Sequence, residues 1–225
     1  MEKDQKRSFK NEVYEQFARI GKAFSSASRL ELIDLLAQRE RRVEELAEET
    51  GMSVANTSRH LQVLKGERLV RRRKEGTRAY YVLADPAVYR AWRAVRTLAE
   101  SRLPEIEETV EQYLSDRETM EALTPAELHA RLEHEDIVVL DVRPEAEYAA
   151  GHVPGARSVP IDRIDEYLEG LPEDREIVAY CRGPYCVYSD EAVRRLRQEG
   201  REARRLKGGL PDWEAEGRPV ERAGE

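Results

Sequence analysis

The sequence predicts two domains of different class: a mostly helical N-terminal domain carrying a β-hairpin, then an α/β domain built on a parallel sheet. Three observations lead there. Charge is divided along the chain. Residues 1–83 hold 18 Lys+Arg against 13 Asp+Glu, a net +5, leaving 20 against 32, a net −12, in the remainder of a chain whose total is −7. The first half shows two short helical patterns joined by a glycine turn and followed by a basic hairpin. The second half alternates continuous apolar runs with amphipathic segments, the mark of a parallel sheet covered by helices.

In the first half, "SRLELIDLLAQ" (28–38) places Leu30, Ile33, Leu35 and Leu36 near helical spacing behind a Ser28 cap. "VEELAEET" (43–50) is a second helix that stops at Gly51, a residue suited to the left-handed position after a helix. Ser53 caps a third, "VANTSRHLQVLKGERL", in which Leu61 and Leu64 turn inward. Asn56, Ser58, Arg59 and Gln62 are left largely on other faces. Leu69 and Val70 then lead into Arg71, Arg72, Arg73 and Lys74, a Glu75-Gly76 turn, and a return strand through Arg78 to Leu83. A helix-turn-helix followed by a basic hairpin is a winged helix-turn-helix.

From Pro86 a long helix is expected, with Val88, Trp92, Val95, Ala99, Ile106, Val110 and Tyr113 as its apolar stripe. Such a stripe outside a compact domain suits helix–helix dimerisation. Pro104 should kink that helix or start a second one. Thr124-Pro125 with Glu127 forms a capping box that opens the second domain. The boundaries expected are 1–118 and 119–225. In the second domain "DIVVLDVR" (136–143) and "EIVAYC" (176–181) are buried strands, "IDRIDEYLEGL" is helical, and "YSDEAVRRLRQEG" is a helix ending at Gly200.

Composition narrows the class. A chain 40% hydrophobic and 37% charged is a soluble, globular one. No run approaches the roughly 18 apolar residues of a membrane span, and the first residues lack the apolar core of a secretory signal. The expectation is a cytosolic protein. Cys181 and Cys186 are the two cysteines, both in "YCRGPYCVYS". A reducing compartment argues against a structural disulfide. Half of a metal site would need further ligands, and the chain offers only His60, His129, His134 and His152, so no metal or other cofactor is expected.

"SVANTSRHLQVLKGERLVRRRKEGTRAYYVL" resembles the recognition helix and wing of the ArsR family of winged-helix repressors, through Ser53, Ser58, His60, Leu61 and Leu64. The resemblance runs over roughly residues 13–115. It implies a homodimer on a palindromic double-stranded DNA operator. Asn56, Ser58, Arg59 and Gln62 would then reach base edges in the major groove. Arg71, Arg72, Arg73, Lys74 and Arg78 would meet phosphates or the adjacent minor groove. Many members of that family sense metals through Cys, His or carboxylates. Here "VEELAEETG" and residues 85–117 contain no Cys or His, so any sensing is expected downstream.

"DVRPEAEYAAGHVPGARSVPI" (141–161) and "LKGGLPDWEAEGRPV" (206–220) resemble the opening and closing signatures of rhodanese sulfurtransferases, with "YCRGPYCV" at the active-site loop. The resemblance implies a Cys181 thiolate that takes the outer sulfur of a donor such as thiosulfate or polysulfide. Arg182, Gly183, Pro184, Tyr185 and Val187 complete the loop. Arg182 and the loop amides would hold an anionic donor. The related phosphatases carry a longer loop ending in arginine; here Cys186 occupies that end, which disfavours phosphatase chemistry and leaves one positive charge fewer for a thiosulfate donor. Cys186 either resolves a persulfide on Cys181, closing a disulfide, or packs at the helix start. Asp141, Arg143, Glu147 and His152 are read as structural. Three functions follow from these residues: a DNA-binding regulator that senses or transfers sulfane sulfur, a sulfurtransferase whose helical domain dimerises it, or an inactive rhodanese fold that binds a partner.

Overall fold

The computed structural model describes residues 3–114, 120, 122–132 and 137–223. The chain separates into two compact units, one reaching to Trp92 and one starting at Arg93. The expected boundary at 118/119 lies outside the described residues.

In the first unit, α1 (Lys3–Phe24) is followed by α2 (Ala27–Gln38), β1 (Arg41–Arg42), α3 (Val43–Thr50), α4 (Val54–Gly66), β2 (Val70–Glu75) and β3 (Arg78–Leu83). The turn between α3 and α4 exists because Gly51 takes the left-handed conformation, φ 65°, and its N–H donates to Glu48 O. Ser53 then caps α4 by accepting from the Asn56 N–H. Leu32, Ile33, Leu36, Leu46, Leu61 and Leu64 form one apolar core between α2, α3 and α4. Helix α2 starts one residue after Ser26, ahead of the expected Ser28, because the Arg29 and Leu30 N–H groups already donate to Ser26 O. The sheet is antiparallel in the order β1-β3-β2, and Gly76 turns the β2–β3 hairpin at φ 58°.

Helix α5 (Pro86–Glu100) is one uninterrupted element that begins in the first unit and ends in the second. Leu103 caps a separate α6 (Pro104–Tyr113), so Pro104 starts a new helix, one of the two outcomes expected of it.

The second unit continues with β4 (Ala122–Leu123), α7 (Pro125–Leu132), β5 (Ile137–Asp141), α8 (Glu145–Ala150), β6 (Arg157–Ser158), α9 (Ile164–Tyr167), β7 (Glu176–Cys181), α10 (Val187–Gln198), β8 (Ala203–Gly209) and α11 (Leu210–Ala215). The five strands run parallel in the order β4-β8-β7-β5-β6. Alternate residues of β5 and β7 feed two cores. Val138, Leu140, Ile177, Ala179 and Cys181 pack with α10 residues Ala192, Val193 and Leu196. Val139, Val178 and Tyr180 pack with Leu128, Leu206 and Trp213. That is why both strands read as unbroken apolar runs.

The Thr124 capping box is present, with the Glu127 carboxylate accepting from the Thr124 N–H and the Thr124 hydroxyl accepting from the Glu127 N–H. The segment expected as one helix over 161–171 is instead a 3-10 turn, the short α9 and a second 3-10 turn. Its carbonyls at Leu168 and Leu171 accept from the Arg201 side chain, which satisfies end groups of the kind a helix leaves without internal partners. Among the described residues no helix is long and apolar enough to cross a membrane.

Candidate functional site

Strand β7 carries Cys181 to the end of the sheet, where it is fully buried. The chain then turns through Arg182, Gly183, Pro184 and Tyr185, and the Cys186 N–H donates to Gly183 O to close the turn. Cys186 caps α10, and its carbonyl accepts from the Ser189 hydroxyl. Val187, the first residue of α10, is half exposed. The Cys181 and Cys186 sulfurs are joined in a disulfide, with the two Cα atoms 6.2 Å apart. The dithiol loop is thus seen in its oxidised form.

Gly209, the last residue of β8, lies opposite Cys181 in the ladder. A Cβ there would sit 2.3 Å from Arg182 O and 2.6 Å from Cys181 O, so no other residue lets β8 approach the loop this closely. Its N–H donates to Asp212, at the start of α11. Asp212 also receives the guanidinium of Arg96 and, at 3.3 Å, that of Arg93. Further along α5, Glu100 accepts a 2.6 Å hydrogen bond from the Tyr185 hydroxyl. Two bonded positions therefore tie the end of α5 to the loop and its supporting strand.

Arg182 does not point into open space. Its guanidinium grips Glu147 of α8 through both carboxylate oxygens, at 2.7–3.1 Å, and the Glu147 side chain is only 1% exposed. The nearby residues read as structural form a buried network. Arg143 binds both oxygens of Asp141 and donates to Gly151 O, and the Tyr180 hydroxyl donates to the same carboxylate. Burial, and then the Asp141 charge, push the Tyr180 phenol well above its ordinary range. His152 stacks on Tyr148 with ring centroids 3.8 Å apart, and its Nδ1 lies 3.0 Å from Tyr148 O.

In the first unit, α4 buries Thr57, Leu61 and Leu64 and exposes Asn56, Arg59 and Gln62, with Ser58 and His60 half-buried. Arg71, Arg72, Lys74 and Arg78 of the hairpin are exposed. Arg73 is exposed too but is held by Glu40 and Glu75. The Arg73 hydrogen bonds hold the Glu40 carboxyl below its ordinary range.

The chain is 44% identical over 209 residues to the HTH-type transcriptional regulator Rv0324 of Mycobacterium tuberculosis, covering 93% of this chain and 92% of that protein. It belongs to the ArsR family. The profile described as bacterial regulatory protein, arsR family, matches residues 26–72, and that of the rhodanese-like domain matches residues 124–216. This ArsR-family transcriptional regulator therefore carries a helix-turn-helix DNA-binding domain and a rhodanese-like domain on one chain. Its second half is also similar to a sulfurtransferase of Allochromatium vinosum, 34% identical over 87 residues, 38% of this chain and 79% of that protein. Among solved structures, a homodimeric winged helix-turn-helix domain from Mycobacterium bovis is 45% identical and covers 42% of this chain and 87% of its own, with a TM-score of 0.40.

The loop residues and the basic hairpin were legible from sequence. Glu100, Arg96 and Asp212 carry no local signal of a place at the loop. For Gly209, the doubled glycine before "LPDW" is the one local signal that fits a close approach.

Proposed function

We propose that this ArsR-family regulator is a homodimeric cytosolic repressor, in which Cys181 accepts sulfane sulfur and the state of its loop changes DNA affinity. Residues 1–118 serve DNA binding and dimerisation, and residues 119–225 serve sulfur chemistry. Carrying the sensor reading is one observation: both cysteines of the chain are joined within a single loop of the rhodanese-like domain, between β7 and α10.

The chemistry starts from the reduced loop, opened by a thiol reductant. Loop amides and the N-terminus of the 12-residue α10 favour an anion at the sulfur, which lowers a thiol's pKa. The Cys181 thiolate attacks the outer sulfur of a sulfane donor, such as polysulfide or thiosulfate. A new S–S bond forms, the donor's S–S bond breaks, and the remaining fragment leaves with the electron pair. The Cys186 thiolate then attacks the inner sulfur of the Cys181 persulfide and expels hydrosulfide. The two thiols are oxidised to the disulfide, and the transferred sulfur is reduced to sulfide.

On the DNA side, Asn56, Ser58, Arg59 and Gln62 read bases, while Arg71, Arg72, Lys74 and Arg78, with Arg73 once its ion pairs open, meet phosphates. A second copy of the chain covers the apolar stripe of α1, where Phe9 and Phe17 are 60% and 64% exposed. Helix α5 provides the route between the two functions. Tyr89 is buried in the first unit and Trp92 donates to Asp34 there, while Arg96 and Glu100 hold Asp212 and Tyr185 in the second.

The test is intact mass measurement of reduced wild type, Cys181→Ser and Cys186→Ser after polysulfide, paired with operator binding at one salt concentration. Wild type should gain sulfur, then close its loop, and shift in affinity. Cys186→Ser should retain the added sulfur, and Cys181→Ser should respond in neither assay. Equal affinities of reduced and treated wild type would sink the sensor reading. The likeness to a sulfurtransferase supports a second reading, a turnover enzyme dimerised by its helical domain. Sustained cyanide-dependent thiocyanate production without a specific DNA site would favour it.

A further inference from the structure

We infer that the Cys181 loop selects sulfane donors of low charge, hydropersulfides reacting in the protonated form R–S–SH, over the thiosulfate dianion; this rests on the sulfur-accepting role proposed for Cys181. Charge placement carries the inference. A dianion entering a site shielded from water needs positive charge to replace its hydration. The guanidinium nearest in sequence, Arg182, is committed to Glu147 by a two-oxygen grip, and the pair is neutral as a whole. At the other side of the loop, the Tyr185 hydroxyl donates to Glu100, so a carboxylate rather than a cation stands beside the exposed loop residue.

The cation bonded closest to that carboxylate does not reverse the sign. Arg96 lies 3.7 Å from Glu100 but is shared with the buried Asp212, which also binds the Gly209 N–H behind Cys181. Among the described residues, what is left to stabilise an anion at the sulfur is the α10 terminus and the loop N–H groups other than that of Cys186, which donates to Gly183 O. Those partial charges suit one thiolate or one persulfide anion. They do not also neutralise two further negative charges on the donor.

Both transfers balance. Cys181–S⁻ with R–S–SH yields Cys181–S–SH and R–S⁻, with the donor S–S bond broken and the proton kept on the transferred sulfur. Cys181–S⁻ with thiosulfate yields Cys181–S–S⁻ and sulfite, so a trianionic assembly of thiolate and dianion must form within the loop. Only the second route meets the unscreened repulsion.

The experiment uses the full-length reduced protein carrying Cys186→Ser, which stops the second step, and follows addition of one sulfur by intact mass over time. A hydropersulfide of a small thiol and thiosulfate are supplied at equal concentration. Loading from the hydropersulfide should be faster by about tenfold or more. Glu100→Gln removes the exposed carboxylate and should narrow that ratio. Glu147→Gln loosens Arg182 and should narrow it further; Glu100→Gln keeps the test open if the buried variant does not fold. Equal loading by the two donors, or a ratio unchanged in Glu100→Gln, overturns the inference. If neither donor adds sulfur to Cys181, the sulfur-accepting reading itself fails, an outcome distinct from loss of selectivity.

Discussion

Gly209 shows how much one missing Cβ carries. Its backbone lies against the carbonyls of Cys181 and Arg182, and both are parts of strand and loop that cannot swing aside as a side chain would. Gly209→Ala should therefore destabilise the protein by about 3 kcal/mol and push the loop off its position. A lower denaturant midpoint with an unchanged slope, together with slower sulfur loading, is the expected result. A wild-type midpoint would show that β8 can retreat. Arg182 teaches the complementary lesson. From the sequence it reads as an anion holder, since a guanidinium follows a nucleophile directly. Its partner Glu147 lies 35 residues away, and the pairing depends on how α8 packs against the end of the sheet.

At the scale of elements, the helix-turn-helix was legible because each local signal agrees with the next. Gly51, Ser53 and the Leu61/Leu64 spacing all point to one arrangement of α3 and α4. The two-residue strands β4 and β6 carry no period to detect, and the turns over 161–170 imitate a helix by spacing alone. The exposed face of α4 and the hairpin make separable predictions. Arg72→Ala should weaken DNA binding alike on all sequences and lower the salt slope by about 0.9. Gln62→Ala should instead reduce discrimination at one base pair, by about 1–3 kcal/mol. Binding titrations at several salt concentrations, on operator and on scrambled DNA, separate the two. An unchanged salt slope in Arg72→Ala would remove that side chain from the phosphate contacts.

For the whole molecule, the division into a basic front and an acidic remainder agrees with a chain in which only the first domain meets a polyanion. Dimerisation belongs to this scale as well. Phe17→Glu on the exposed stripe of α1 should convert dimer to monomer in sedimentation measurements and weaken operator binding by at least about tenfold, since each half-site then binds alone. A dimer that survives this change would move the interface elsewhere, with α6 and its exposed Tyr113 the next segment to test.

Local sequence specifies the two classes of domain, the helix-turn-helix with its basic hairpin, and the loop that holds both cysteines. Those features rest on local periodicity, turn chemistry and contiguous motifs, which need no knowledge of distant neighbours. Which charges are taken up in ion pairs is set by packing. Glu147 on Arg182, Glu40 on Arg73, Glu100 on Tyr185 and Asp212 on Arg96 are each brought together by packing. An ion pair depends on distance in space, and separations of 33 to 116 residues along the chain leave no period from which to read it.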